Sequence, residues 1–392
     1  MHIDTPIIIF AYAFPHRKSF DCISMVSGMG YRNFVVVAAP KITLPQNVKS
    51  DSKSIDSGNR FDVKLLCSSL NVKYVECPHD DVEEITRARN EVGAELAIIA
   101  GARILKANII DIFPKGVINF HPGKIPETSG LDSFFYTLKS GSPMGVTVHF
   151  IDARVDAGKF IFFEKCPVQP SDTIESLKKR LYETQMRAIQ RFFRLFFLTK
   201  IPATQIYRPK KNSPMTPAEK TAVREGFNAW KDQHAALCYE NETKFFHACE
   251  EGRLEEVKRL VSESLYLIDL KNKSGWSAII IAAYWQHESL VSYFLGMGAN
   301  PNDRGQNGTT VLMYSKTRIL DAVDPRLNIM TLLIASGASL IATDKFGKDI
   351  FFYLDVEKKS GSLIKNYLEA IKVRDLVLHS HPDEGVKTLN ER

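Results

Sequence analysis

Residues 117–130 read VINFHPGKIPETSG and mark the point at which the pattern of the chain changes. The stretch opens as an apolar run that contains Asn119, and Pro122 and Gly123 end any strand directly after His121. Because side chains alternate along a strand, Asn119 and His121 leave the same face of the sheet. The stretch therefore predicts two polar side chains at the carboxyl end of a strand, where open α/β sheets bind ligands.

Upstream of this stretch, apolar runs alternate with helical segments. Strands are predicted at residues 6–12 (PIIIFAY), 33–39 (NFVVVAA), 71–77 (NVKYVEC) and 95–100 (ELAIIA), and a charged amphipathic helix at residues 82–92. This rhythm predicts an α/β fold, a mostly parallel Rossmann-like sheet with helices on both faces. No GxGxxG follows the first run, so a dinucleotide cofactor is not expected.

Downstream of it, the strands come closer together. Residues 145–151 and 159–168 predict two strands, and residues 131–139 predict a helix before them. A long amphipathic helix is predicted over residues 171–196, with Ser171 or Asp172 as its N-cap. Residues 201–219 are rich in Pro and Lys and show no periodicity, which indicates the end of the first domain.

The last third of the chain carries a repeat. Gly275 and Gly308 each open a Gly-x-Ser/Thr turn and lie 33 residues apart, whereas the Gly-Ala pairs at 298 and 337 lie 39 apart. One unit therefore has a 33-residue period and the next carries an insertion of six, near residues 321–326. A 33-residue unit of turn, helix and helix resembles the ankyrin repeat. Residues 241–392 are expected to form an all-α ankyrin-repeat array, whose units bury apolar surface only against their neighbours.

The composition is that of an ordinary globular protein. Its residues are 44% hydrophobic and 24% charged. The length of 392 residues predicts two or three domains. Lys and Arg number 51 against 45 Asp and Glu, a mild excess without the dense basic face of a nucleic-acid-binding protein. The 6 cysteines form no CxxC pair and no metal-ligand spacing, so no metal is expected. The first residues lack the pattern of a signal peptide and no apolar run reaches about 18–20 residues, so we expect a cytoplasmic protein with no membrane contact.

Two further polar residues lie in and just after the strand predicted at residues 145–151. The segment HFIDARVDAG (149–158) places Asp156 seven residues after His149 and before a tight Ala-Gly turn. Each residue alone has an ordinary explanation, since a His at a strand end is often structural and an Asn before a turn often bonds local backbone. Their combination in this order is what indicates chemistry.

Taken together, NFHPGKIPETSG (119–130) and HFIDARVDAG (149–158) resemble the folate-dependent formyltransferases. That family shares an Asn-x-His-Pro segment and a His-x(6)-Asp-x-Gly segment, and AIIAGARIL (97–105) is similar to its strand and loop whose backbone holds the pterin ring. The motifs resemble the family over residues 90–170. Over residues 1–89 only the alternation of predicted strands and helices is similar. Two departures bear on the choice of acceptor. Gly123 stands where Ser is usual, and the segment after Ile125 lacks the basic residue often found before its Gly.

The resemblance implies a role for each matching position. Asn119 and His121 would donate hydrogen bonds to the formyl oxygen of N10-formyltetrahydrofolate, on which negative charge develops as an amine attacks. Asp156 would orient His121 or accept the proton of the amine through water. The folate co-substrate would be held by the backbone around four residues: Ala102, Arg103, Ile104 and Leu105.

Contacts with the amine substrate are harder to assign. His149 has two interpretations, a side chain that fills the sheet beneath the site and a substrate contact. Lys124 is a further candidate. Tyr207 and Arg208, followed by Lys210, are candidates for binding a base and a pyrophosphate, and a solvated basic linker is the alternative.

The acceptor is inferred from what surrounds the first domain. A methionyl-tRNA enzyme of the family would carry an OB-like RNA-binding domain, and a glycinamide ribonucleotide enzyme would end near residue 200. A domain at 1–200, a linker or dimerisation segment at 201–240 and repeats at 241–392 resemble instead the N-formyltransferases of dTDP-linked amino-dideoxyhexoses for bacterial O-antigen and lipopolysaccharide. The resemblance implies a homodimer that acts on dTDP-3-amino-3,6-dideoxyglucose, with the 4-amino isomer as the alternative. The repeats would bind a protein or a ligand, and a non-enzymatic ankyrin scaffold remains the other interpretation.

Overall fold

The computed structural model describes residues 5–42, 61–154, 157–198, 203–206 and 212–380. The chain divides into two compact units, Met1–Tyr239 and Glu240–Arg392.

A single sheet forms the centre of the first unit. Its described strands lie in the order β3-β2-β1-β4-β5-β6-β7-β8. Strands β1 to β5 are parallel to one another, and the pairs β5–β6, β6–β7 and β7–β8 are antiparallel. The predicted α/β class, a mostly parallel Rossmann-like sheet, is therefore confirmed. The strand bounds are β1 Ile7–Tyr12, β2 Phe34–Ala39, β3 Lys73–Glu76, β4 Leu96–Ile99, β5 Val117–His121, β6 Gly145–Ile151, β7 Gly158–Lys165 and β8 Thr204–Gln205.

Helices connect and cover these strands. Every residue of β2 and nearly every residue of β1 is buried, as a parallel sheet covered on both faces requires. The helix predicted at residues 82–92 has those bounds, because Asp81 caps its first turn and Gly93 ends it in a left-handed conformation. The helices are α1 Arg17–Gly28, α2 Val63–Ser69, α3 Val82–Val92, α4 Ala107–Ile110, α5 Ser133–Ser140, α6 Ile174–Leu198, α7 Pro217–Glu225 and α8 Phe227–Glu250.

The long helix α6 begins later than the sequence predicted. Neither Ser171 nor Asp172 is its N-cap, because the hydroxyl of Thr173 accepts the hydrogen bond from the Ser176 amide at 3.1 Å. The carboxylate of Asp172 is instead paired with Arg180, about two helical turns further on. A charged partner on the same helix thus displaces the expected cap by one or two residues.

Helix α6 lies against the sheet behind β5. The ring of Phe120 meets the ring of Phe192 edge to face at 5.9 Å, and the Gln185 side chain donates to the carbonyl of Phe120 at 2.5 Å. The buried Arg191 also donates to Glu164 of β7 at 2.6 Å. Because Phe120 faces α6, its neighbours on β5 face the opposite side.

The described part of the segment at 201–240 packs against earlier residues of the first unit. The Asn212 amide donates to the Ser129 carbonyl at 2.9 Å, and Tyr136 donates to the Ser213 carbonyl at 2.9 Å. On α8, the indole of Trp230 donates to the Ser142 carbonyl at 3.2 Å. These contacts hold α7 and α8 beside the loop between β5 and β6. The assignment of this segment to dimerisation stays a prediction.

Paired helices and turns make up the described part of the second unit. Gly275, Gly308 and Gly347 adopt φ of 73°, 75° and 72°, so the same left-handed turn recurs in successive units. The insertion falls where it was predicted, since the loop after α12 is longer than the loop after α10. The helices are α9 Leu254–Glu263, α10 Ala278–Tyr284, α11 Glu288–Gly296, α12 Val311–Leu320, α13 Asn328–Ala335 and α14 Lys359–Ser380, with short 3₁₀ turns at Leu265–Asp269 and Phe351–Tyr353.

No helix in the described ranges combines the length and the apolar character that crossing a bilayer requires.

Candidate active site

Asn119 and His121 lie at the carboxyl end of β5 on the face turned away from α6. His121 is buried, with 5% of its surface exposed, and Asn119 is half-buried. The strand ends at His121, whose carbonyl accepts a hydrogen bond from the Gly123 amide at 2.9 Å. The structure therefore brings the two side chains together as the spacing of two residues implies.

The ring of His121 is held by the loop that follows β5. Its Nε2 lies 3.0 Å from the carbonyl oxygen of Thr128. Because a carbonyl only accepts, the proton of this hydrogen bond is on Nε2. Sequence reasoning missed Thr128, since a Thr in a loop rich in Gly, Pro and Ser gives no signal of its own.

The same loop is closed tightly around Gly123. A Cβ there would lie 2.2 Å from the hydroxyl of Thr128 and 3.0 Å from Nε2 of His121. The Thr128 hydroxyl thus occupies the space that a Ser side chain at position 123 would need. Thr147, the partner of His121 across the sheet, donates to the Gly123 carbonyl at 2.6 Å and accepts from the Ile125 amide at 3.1 Å. Thr147 was also missed, because its role depends on strand register.

His149 lies directly across from Asn119 in the antiparallel pair of β5 and β6. Its Nε2 is 3.4 Å from Nδ2 of Asn119, and its Nδ1 is 3.3 Å from the carbonyl oxygen of Ala157. The side chain has no exposed surface. The structure therefore places His149 in contact with both Asn119 and the loop after β6.

The described residues do not include Asp156, the third predicted catalytic residue. Its described neighbours in the loop after β6 form a hydrogen-bonded ion pair. Asp152 accepts hydrogen bonds from the backbone and the guanidinium of Arg154, and the guanidinium bond lowers the pKa of Asp152. A carboxyl with a lowered pKa holds its negative charge and is a weak base.

The predicted folate residues form the loop between β4 and α4. The loop is anchored at its start, where the amides of Ala100 and Gly101 donate to the Phe10 carbonyl at 3.0 and 2.9 Å. The Arg103 guanidinium is turned to the end of β2, where it donates to the Pro40 carbonyl at 2.7 Å. Ile104 is 71% exposed.

Leu105 and Ala102 connect this loop to the end of β6. Leu105 is buried in a cluster with Ile110 and Val117, and Ala102 and Ile151 pack against that cluster. The predicted folate loop and the carboxyl end of β6 thus share one apolar cluster.

A cleft of about 530 Å³ opens beside this cluster in the described part of the first unit. Its lining includes Ile110, Gly116, Phe150, Ile151 and Asp152. Neither Asn119 nor His121 lines the cleft. In the same described ranges, no three His, Cys, Asp or Glu side chains come together as ligands for a metal ion.

The N-terminus of α1 at the same edge of the sheet is closed by its own histidine. His16 accepts from the Ser19 amide through Nδ1 at 3.2 Å, and Nδ1 lies 2.8 Å from the Ser19 hydroxyl. Burial lowers the pKa of His16 to about 4, as it does for the nearby His79. The Ser19 amide in the first turn of α1 therefore bonds a neutral side chain.

Of the predicted substrate residues, Lys124 is described and half-exposed, with its ammonium 3.9 Å from the carboxylate of Glu127. Tyr207 and Arg208, together with Lys210, lie outside the described residues.

Two family models match the chain. Residues 61–192 match the model described as formyl transferase, and residues 222–305 and 245–344 match the model described as ankyrin repeats in three copies. Over these residues the chain is similar to the formyl transferases and, further on, to the ankyrin repeats, which confirms the resemblance inferred from the motifs.

Particular proteins are similar over parts of the chain. The methionyl-tRNA formyltransferase of Syntrophus aciditrophicus is 24% identical over 208 residues, which cover 53% of this chain and 64% of that protein. The phosphoribosylglycinamide formyltransferase of Haemophilus influenzae is 30% identical over 96 residues, 24% of this chain and 45% of that protein. The chain therefore spans less than two thirds of the length of either relative.

Among solved structures, a sugar N-formyltransferase from a Shewanella species is similar with a TM-score of 0.39 and 14% identity. The match covers 57% of this chain and 87% of that one.

Proposed function

We propose that this chain is an N-formyltransferase that moves the formyl group of N10-formyltetrahydrofolate to an amine. The observation that carries the proposal is the pair Asn119 and His121, side by side at the carboxyl end of β5 within the formyl transferase domain. Both side chains carry N–H groups, and the ring of His121 is fixed by Thr128. Hydrogen-bond donors fixed in this way stabilise an oxygen that gains negative charge during a reaction.

In the proposed reaction the amine attacks the formyl carbon, and two N–H groups donate to the formyl oxygen. One is on Nδ2 of Asn119, and the other is on Nδ1 of the protonated His121 ring, whose Nε2 proton is held by the Thr128 carbonyl. Asp156 orients His121 or takes the proton of the amine through water. The bond from the formyl carbon to N10 then breaks, and tetrahydrofolate leaves with a proton on N10.

The loop at Ala102–Leu105 is the proposed folate site, with its backbone toward the pterin edge. Support for this site is the anchored start of the loop, where the Ala100 and Gly101 amides bond the Phe10 carbonyl, and the exposed side chain of Ile104.

As acceptor we propose a dTDP-linked amino-dideoxy sugar, with dTDP-3-amino-3,6-dideoxyglucose favoured over its 4-amino isomer, for bacterial surface polysaccharide. Support comes from the second unit, whose described residues form helices and turns and not the all-β domain implied by resemblance to a methionyl-tRNA enzyme. Lys124, Tyr207 and Arg208 are the proposed substrate contacts.

The proposed assembly is a homodimer whose ankyrin repeats bind a protein or a ligand. Ankyrin arrays offer extended surfaces for partners. In this one the indole of Trp285 is 41% exposed and is covered on one side by Arg318, 4.2 Å from the ring centre.

The acceptor is tested by incubating the purified chain with N10-formyltetrahydrofolate and four amines in separate reactions. These are the dTDP-3-amino and dTDP-4-amino sugars, glycinamide ribonucleotide and methionyl-tRNA. Mass spectrometry of each product should show one added formyl group on a dTDP-amino sugar. Formylation of the ribonucleotide or the tRNA alone would replace the proposed acceptor, and no folate consumption with any amine would favour a scaffold.

The proposed catalytic residues are tested by substitution. Asn119→Ala, His121→Asn and Asp156→Ala should each lower kcat by about 10²–10³ or more, because each removes a group that acts on the reacting atoms. The thermal transition should be kept. Asn228→Ala, at an exposed position on α8, is the matched control and should turn over normally. Normal turnover in His121→Asn would rule out the mechanism.

A further inference from the structure

We infer that His149 is a positioning residue, which sets the orientation of the Asn119 amide and ties it to the loop after β6. The inference rests on the proposed function and extends it to a residue that was left between two interpretations. A side chain with no exposed surface has no face for a substrate to contact, which leaves action through its neighbours.

Strand register brings the two side chains together. Asn119 of β5 and His149 of β6 are direct partners, so their side chains leave the same face of the sheet. The pairing of β6 with β7 also shifts at this point, because Val148 pairs with Phe162 but His149 pairs with Phe160. A bulge of this kind re-aims the side chain next to it.

The contact with Ala157 defines the tautomer of His149. Nδ1 lies 3.3 Å from the carbonyl oxygen of Ala157, which can only accept, so Nδ1 carries a proton. In the neutral ring, Nε2 then carries a lone pair and accepts. Its neighbour 3.4 Å away must donate, which requires Nδ2 of Asn119 and excludes Oδ1 at that place.

The orientation of the amide follows from this tautomer. Nδ2 of Asn119 has two N–H bonds, of which one is donated to His149. The other stays on the same nitrogen as the donor for the formyl oxygen. A flipped amide would place Oδ1 against the lone pair of Nε2, acceptor against acceptor. His149 therefore selects the amide orientation that the proposed reaction needs.

The same ring couples β5 to the loop that carries Asp156. Ala157 follows Asp156 directly, and its carbonyl is held by the nitrogen opposite the one that meets Asn119. One imidazole thus spans two of the proposed catalytic elements. Displacing it should move the Asn119 amide by a small distance, and misplacement of about 1 Å can cost about 10²-fold in rate.

The tautomer is read directly by nitrogen-15 NMR on the wild-type protein. Histidine is labelled, and the His149 signal is assigned by its loss in His149→Gln. We expect a neutral ring protonated at Nδ1 at pH 7.5. A proton on Nε2 alone, or on both nitrogens, would overturn the inference whether or not the protein is active.

A kinetic cycle tests the action through Asn119. His149→Phe keeps the size of the ring without its nitrogens, and should lower kcat about 10- to 100-fold with the KM for folate little changed. In Asn119→Ala the same change should cost almost nothing, since the amide that His149 orients is gone. Losses that multiply in the double variant would contradict the positioning role.

Two controls separate this role from loss of structure. His234→Phe removes another buried histidine, whose Nδ1 meets the Trp230 carbonyl on α8 at 2.8 Å, and should leave kcat unchanged. His149→Gln, whose amide has both a donor and an acceptor, should recover part of the rate lost in His149→Phe. Recovery of the melting temperature without the rate would contradict the inference. An inactive wild type would refute the proposed function, while the NMR result still decides the contact of His149 with Asn119.

Discussion

Replacing Gly123 by alanine tests whether the loop after β5 sets the site. The added Cβ would lie 2.2 Å from the Thr128 hydroxyl, 3.0 Å from Nε2 of His121 and 3.1 Å from Cβ of Ser133. These atoms are parts of packed side chains, so the loop must shift. Overpacking of this kind costs about 1–3 kcal/mol. For a unit of this size each kcal/mol lowers the melting temperature by about 2–4 °C, so we expect a fall of roughly 2–12 °C.

The same shift should reach the chemistry, because the carbonyl of Thr128 holds the ring of His121 at 3.0 Å. We expect kcat to fall by up to about 10²-fold. Thr128→Ala removes the hydroxyl that the new Cβ meets, and costs about 0.5–1.5 kcal/mol by itself through its bond to the Lys124 carbonyl. In that background Gly123→Ala should cost less, with a coupling of about 1–2 kcal/mol.

Scanning calorimetry and the formyl-transfer assay measure the four proteins of this cycle. Gly28→Ala is the matched control, because a Cβ at the end of α1 meets no atom within 4 Å. It should be neutral or stabilising by about 0.4–1 kcal/mol. A wild-type melting temperature for Gly123→Ala, or an equal cost in both backgrounds, would refute the packing described for this loop.

Two further predictions concern stability. Glu164→Ala leaves the buried Arg191 without its carboxylate and should cost about 3–5 kcal/mol. Glu95→Ala breaks an exposed pair with Lys115 and should lower the melting temperature far less. Equal shifts of the two variants in calorimetry would contradict the burial argument. Since the lowered pKa of His16 makes the folded state bind a proton less readily than the unfolded state, stability is full above about pH 6.5 and falls toward pH 4. His16→Asn keeps the cap without titrating and should flatten melting temperature against pH, and an unchanged slope would count against the cap.

Much of the architecture could be predicted from the sequence because it depends on local periodicity. The apolar runs at 6–12 and 33–39 became β1 and β2 to within one residue, since such runs suit strands covered on both faces. The repeat period fixed the ankyrin units in the same way. The predicted N-cap of α6 was wrong because the Asp172 carboxylate pairs with the charged Arg180 of that helix.

In the candidate site too, some features follow from local sequence and others only from the tertiary structure. By itself the sequence determined that Asn119 and His121 share one face at a strand end, because alternation along a strand is a property of the backbone. Only the tertiary structure decided what holds them. Thr128 reaches His121 through the closed loop, and His149 reaches Asn119 across 30 residues through strand register. A hydrogen bond forms only when the distance between donor and acceptor is correct to within a few tenths of an ångström. No local sequence pattern specifies such a distance between residues so far apart in the chain.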